Sequence, residues 1–276
     1  MYYYKAKIQY DGTNYAGFQW QNGLLTIQSE FNKSLSQIIP GKFTTMAASR
    51  TDTGVHALEQ FVKISSTQSM DCTSLLESLN FVLPNDIRCI YIEPSTGLFR
   101  PASDTTSKEY RYLFTNRVQS PKEDRRFIAN ISNKLDLKAM QTCIDLIHGT
   151  HDFCNFYSSG SNVKSTTRTI STYELSTIDP RLFFLKNELF NIPQDLDSCY
   201  ELRIIADGFL KQMIRHLVSA LWKVGSGKIS PSEFLAYLEG PKSKKQLWKV
   251  APPSGLFLYQ INFMKSQEQK THHSNF

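Results

Sequence analysis

Arg50-Thr51-Asp52-Thr53-Gly54-Val55-His56-Ala57 packs a guanidinium, a carboxylate, an imidazole and two hydroxyls around one glycine. Two readings fit these residue types. In one, the stretch is a turn joining two strands, since Asp-x-Gly closes hairpins and Thr and Asp side chains bond the local backbone. In the other, Asp52 is a carboxylate kept ionised by a nearby cation such as Arg50, the state a nucleophile or base requires.

Other candidate groups lie further along. Tyr110 and Tyr112 share one face of a strand-like segment, with Arg111 on the other. That pattern serves core packing, or an aromatic platform for a nucleobase. Arg215 stands between Ile214 and His216 in a strongly amphipathic stretch. It is either a solvated arginine at the edge of the apolar stripe or a guanidinium meeting a carboxylate from the other half of the chain. His148, His151 and Cys154 are spaced by three, but Gly149 interrupts a shared face and no fourth ligand is evident, so no metal is expected. Lys5, Lys7, Arg125, Arg126, Arg168 and the loop "GPKSKKQ" are solvated charges or, gathered on one surface, phosphate contacts. The glycine-rich segment "DGTNYAGFQWQNG" lacks a lysine and Ser/Thr in P-loop register. No nucleophile elbow, HExxH or dinucleotide fingerprint occurs.

The elements that must hold these groups follow from periodicity. Strands are expected at Tyr2–Tyr10, Phe43–Ser49, Ala57–Ser66, Ile87–Ile92, around "KEYRYLFTNR", Thr166–Ser176, Tyr200–Ile205 and Leu256–Phe263. Helices are expected after Thr26, at Thr73–Leu83, Leu135–His148, Gly208–Val224 and Ser230–Leu238. Strands and helices intermix without regular alternation, which predicts an α+β protein with a mostly antiparallel sheet. Division falls at 1–103 for an N-terminal subdomain carrying Asp52 and 104–264 for a C-terminal one carrying Tyr110 and Arg215. Residues 265–276 read as a polar, flexible tail.

The 276 residues include 31 Lys and Arg against 25 Asp and Glu, a net charge of +6 that suits a polyanionic partner such as RNA. No apolar run is long enough to span a membrane and the N-terminus lacks a secretory core, so a soluble, cytoplasmic protein is expected. The five cysteines form no CxxC pair, which argues against a disulfide framework or zinc ribbon.

"YDGTNYAGFQWQ", "SRTDTGVHA", "KEYRYLF", "DGFLKQMIRHLVSALWKVG" and "APPSGLFL" occur in the order seen in tRNA pseudouridine synthases of the A family, which the chain resembles from Lys5 to about Phe263. The resemblance implies the pseudouridine synthase fold: two α+β subdomains with flanking helices, a mixed, mostly antiparallel sheet spanning both, and a central basic cleft. It implies isomerisation of uridine to pseudouridine in the anticodon stem-loop of tRNA, at nucleotides 38 to 40, by a homodimer without cofactor or metal. It assigns Asp52 as the catalytic aspartate, Tyr110 as the residue stacking on the target uracil and Arg215 as the partner of the aspartate. Arg50 becomes a contact to the displaced nucleotide. Departures occur where the family reads "GWQxQ", "FHARFSA" and "RNxVG": here stand Phe18, Ala102 (with Arg100 two residues before it), His216 and Ser219. Two further readings are a divergent paralogue acting at another RNA position and an RNA-binding or chaperone protein with little catalysis. A carboxylate-dependent hydrolase lacks a well-placed second acid.

Overall fold

The computed structural model describes residues 1–116, 126–160, 163–185, 189–190, 198–241, 243 and 248–264; the expected tail lies outside them. The described chain is α+β, with six α-helices and a mixed, mostly antiparallel arrangement of strands. It forms two compact units, one of residues 1–108 and 257–264, the other of the described residues within 109–256.

The first unit grows from alternation. In β1 (Tyr2–Tyr10), Tyr4, Ala6, Ile8 and Tyr10 are buried while the intervening residues are partly exposed, the period of a strand with one core face. α1 (Ile27–Ile38) starts at a capping box, in which Thr26 Oγ1 accepts from Ser29 N and Ser29 Oγ accepts from Thr26 N. Ile27, Phe31 and Leu35 then fall on its buried stripe. β2 (Phe43–Ala47) and β3 (His56–Ser66) pair antiparallel, from Phe43 opposite Ser66 to Ala47 opposite Val62. α2 (Cys72–Val82), capped by Asp71, packs on α1 and on β4 (Ile87–Pro94). β1 lies between β3 and β4, antiparallel to both.

The second unit takes over within β5 (Thr105–Thr115). A two-residue strand, β6 (Ala129–Asn130), runs parallel to β5. α3 (Leu137–Ile147), β7 (Gly149–Asp152), β8 (Thr167–Ile178), the short α4 (Pro180–Phe184) and β9 (Cys199–Ala206) follow. The strand order is β5-β9-β8-β7. α5 (Met213–Gly225) and α6 (Pro231–Glu239) pack with α3, and α5 is buried from Met213 to Leu221. Arg111, Arg203, Glu109, Glu201 and Glu174 form a linked set of ion pairs across β5, β9 and β8.

α5 begins five residues later than its periodicity predicts. Gln212 has φ of 59°, in the left-handed region, and Met213 N closes a turn on Leu210 O, so the apolar spacing from Gly208 onward is carried by irregular chain. The last strand, β10 (Leu256–Phe263), belongs from Phe257 onward to the first unit, where it runs parallel to β3 with Phe257 opposite His56.

Candidate active site

Residues 48–55 link β2 to β3, and hydrogen bonds hold their backbone at several points. At its start, the fully buried Gln60 side chain accepts from Ser49 N and Phe61 N at 3.1 Å each and donates to Ser49 O at 2.7 Å. In the middle, Thr51 O accepts from Phe18 N at 3.0 Å, and the Thr51 hydroxyl lies 2.8 Å from the Tyr10 hydroxyl. A β-turn follows, with Val55 N donating to Asp52 O at 3.1 Å and Gly54 N donating to Tyr15 O at 3.2 Å.

The glycine-rich segment is what grips this loop. Gly17 has φ of 96°, and a Cβ there would sit 2.7 Å from Thr51 O and 3.3 Å from the Asp52 carbonyl carbon. Only a residue without a side chain lets the two segments touch.

At the far end, His56 is wholly buried and stacks on Phe257 with ring centroids 4.8 Å apart. Its Nδ1 lies 3.0 Å from Asp11 Oδ1 and 3.1 Å from Gly12 N. With a proton on Nδ1 it donates to Asp11; without one it accepts from Gly12. Burial alone would raise the Asp11 carboxyl, but the hydrogen bond and charge of His56, with the hydroxyl and N–H of Thr13, outweigh it and bring the group down to about 2. Asp52 thus sits, partly exposed, on a backbone hydrogen-bonded at Ser49, Thr51, Asp52, Gly54 and Val55, and Arg50, two residues before it, is exposed. A preorganised carboxylate can act on a reacting atom without first ordering its own support.

In the second unit, Tyr110 is 6% exposed, and its ring meets Phe209 edge-on at 5.1 Å. Tyr112 is fully buried, donates its hydroxyl to Pro252 O at 2.9 Å and packs edge-on against Trp222. Arg111 turns to the opposite face, to Glu109 and Glu201, so the alternation read from the sequence holds. Arg215 is buried rather than solvated: its Nε donates to Ala251 O at 2.7 Å while Ala251 N donates to Arg215 O. Ser219, one turn on, donates to Lys249 O, so α5 is stapled twice to the segment before β10. His216 Nε2 lies 3.0 Å from Ser158 Oγ, which itself donates to Gln212 Oε1. The serine proton being committed, His216 is the donor in that contact. Burial, reinforced by the charge of Arg215, pushes the imidazole down to about 4 and keeps it neutral.

Several cations expected at an anion surface are engaged elsewhere. Lys7 pairs with Glu59 at 2.6 Å, while Lys5 pairs with Glu93 and lies over the rings of Phe61, Phe99 and Phe263. Arg168 donates to the carbonyls of Ser165 and Thr167, and Arg125 and most of "GPKSKKQ" lie outside the described residues. His148 Nε2 and His151 Nε2 each meet a backbone carbonyl, of Ser171 and His148 respectively. Tyr10, Asp11 and Gly17 all fall within the motif "YDGTNYAGFQWQ", which does not say what they touch, and Gln60 lies in none of the quoted motifs.

A sequence profile of the tRNA pseudouridine synthase family matches residues 144–264, the segment that carries α5 and β10. Across nearly the full length, the chain is 35% identical over 254 residues to the tRNA pseudouridine synthase A of a Thermoanaerobacter species, spanning 92% of this chain and 96% of that one. The chain belongs to the tRNA pseudouridine synthase A family. The synthase of Clostridium acetobutylicum is 32% identical over 259 residues, 94% of this chain and 98% of its own. That of Geobacillus kaustophilus is 30% identical over 260 residues, 94% and 93% respectively. As a pseudouridine synthase the protein is an enzyme of the isomerase class. Its departures from the family pattern are accommodated: Phe18 is a buried anchor of the Asp52 loop, and His216 and Ser219 have hydrogen-bond partners.

Proposed function

We propose that the protein isomerises uridine to pseudouridine in the anticodon stem-loop of tRNA, at nucleotides 38 to 40, with Asp52 as the nucleophile. The observation that carries this reading is the Asp52 loop, clamped by Gln60, Tyr10, Phe18 and Tyr15 while Asp52 remains partly exposed.

The chemistry requires few groups. The target nucleotide leaves the stack to reach the protein. The Asp52 carboxylate attacks ribose C1′, and the C1′–N1 bond breaks with its electron pair going to the uracil. The base turns, C5 attacks C1′, and the carboxylate leaves. Loss of the C5 proton and gain of one at N1 restore a neutral aromatic base, so product and substrate have the same composition and no redox partner is needed. Tyr110, on its strand face beside Phe209, is the stacking surface for the uracil. Arg215, a cation anchored through Nε, is the partner that keeps Asp52 ionised. Arg50, exposed beside the carboxylate, contacts the displaced nucleotide. The enzyme works as a homodimer in the cytoplasm, on tRNA, with no cofactor.

Incubating the protein with unmodified tRNA and mapping pseudouridine tests this directly. Product at 38 to 40 is expected. Product elsewhere in the RNA is the outcome of the second reading, a divergent paralogue, which the substitutions at Phe18, Ala102, His216 and Ser219 favour. Binding without product on any tRNA would leave an RNA-binding protein and remove the isomerase reading.

A further inference from the structure

We propose that Trp20 is a base-stacking contact for the substrate RNA at the rim of the Asp52 loop, taking an unpaired base near the target uridine. The inference rests on the isomerase reading for its substrate, but its evidence is separate.

Trp20 is 55% exposed, a large apolar ring left in water. Yet its backbone amide is held by a buried side chain. Trp20 N and Gln19 Nε2 both donate to Gln28 Oε1, at 3.0 and 2.8 Å. Gln28, itself only 9% exposed, donates through Nε2 to Thr45 Oγ1, which donates onward to Asn32 Oδ1. A relay of side chains from α1 and β2 therefore ends on the amide of an exposed tryptophan. The surrounding loop closes on itself, with Ala16 N donating to Leu25 O at 2.8 Å and Gln21 Nε2 donating to Ala16 O. Two residues before Trp20, Phe18 N bonds Thr51 O, the carbonyl preceding Asp52. The indole is thus carried on the same rigid block as the candidate nucleophile.

Other exposed apolar side chains lack this combination. Phe81 on α2 and Leu182 on α4 are more exposed, but neither stands on the segment that grips the Asp52 loop. Fixing the backbone beneath an exposed ring with buried polar groups yields no packing of that ring. It does remove the ordering cost of contacting a flat partner. An exposed aromatic face, on the segment whose Phe18 N bonds Thr51 O next to Asp52, is the chemistry that stacks on an unstacked base.

The test uses the full chain, an unmodified tRNA and three variants, Trp20→Phe, Trp20→Leu and Trp20→Ala. Trp222 and Trp248 have buried indole nitrogens, so the emission difference between wild type and Trp20→Phe isolates the exposed indole. Saturating tRNA should quench that difference signal. Trp20→Ala should weaken tRNA binding about ten- to a hundredfold, with the loss appearing in KM more than in kcat. Trp20→Phe should recover most of it and Trp20→Leu little, because stacking needs a π face. The inference is overturned if tRNA leaves the signal unchanged and all variants bind as wild type does. It is equally overturned if Trp20→Ala changes the sedimentation of the free protein instead, which would make the ring a contact between copies. Quenching without pseudouridine formation would sink the isomerase reading and leave Trp20 an RNA contact. Pseudouridine formation without quenching or a binding defect would do the reverse.

Discussion

Asp52 owes its position to side chains that take no part in bond making. Replacing it by Asn keeps the shape and removes the charge, so pseudouridine formation should fall below detection while tRNA affinity stays within about severalfold, read by product mapping beside filter binding. Gln60→Leu probes the support: three buried hydrogen bonds disappear and Ser49 keeps an N–H and a carbonyl without that partner. Thermal or urea unfolding should show a loss of about 2 to 4 kcal/mol. Asp52 stands out as a candidate in the sequence because eight adjacent residues carry its neighbouring groups. Gln60 does not, since its role depends on meeting Ser49 across a hairpin, and Tyr10 meets Thr51 from 41 residues away. Nothing local distinguishes such a glutamine from any other strand residue, and the motif that opens on Tyr10 does not say what its hydroxyl meets.

Elements with strong internal grammar were read closely. The Thr26 cap, the alternation of β1 and the span of β10 match their expected positions, because caps and period-two burial depend on near neighbours. α5 was read too long at its start: apolar spacing continues through Leu210, but periodicity does not report the left-handed backbone at Gln212. α4, five residues behind an Asp179 cap and Pro180, is too short to show a period. At this scale the contact between the glycine-rich segment and the Asp52 loop makes a testable claim. Gly17→Ala combines an unfavourable φ with a Cβ 2.7 Å from Thr51 O. It should cost about 1 to 3 kcal/mol in unfolding experiments. It should also lower kcat, measured with saturating tRNA, because the loop must shift to make room.

Over the whole chain, acid should act in two separable windows. His216, pushed down to about 4 in the folded state from an ordinary 6.5, takes up its proton sooner when unfolded, so its contribution is complete above pH 6.5 and lost as pH falls toward 4. Asp11, brought down to about 2 from 3.8, contributes fully above pH 3.8 and loses its part as pH falls toward 2. His216→Asn should flatten the upper part of a melting-temperature profile against pH, and Asp11→Asn the lower part. Net charge of +6 also predicts that tRNA binding weakens steeply with added salt, seen as a negative slope of log affinity on log salt concentration. Chain order adds a consequence for biosynthesis. The unit that holds Asp52 is interrupted by residues 109–256, and Phe257, which stacks on His56 at the end of the Asp52 loop, follows that whole insertion. A ribosome delivers the second unit complete before the strand that finishes the first. The Asp52 loop is therefore among the last parts of its unit to be completed, and a nascent chain halted before Leu256 would carry every residue of the loop without the ring that stacks at its end.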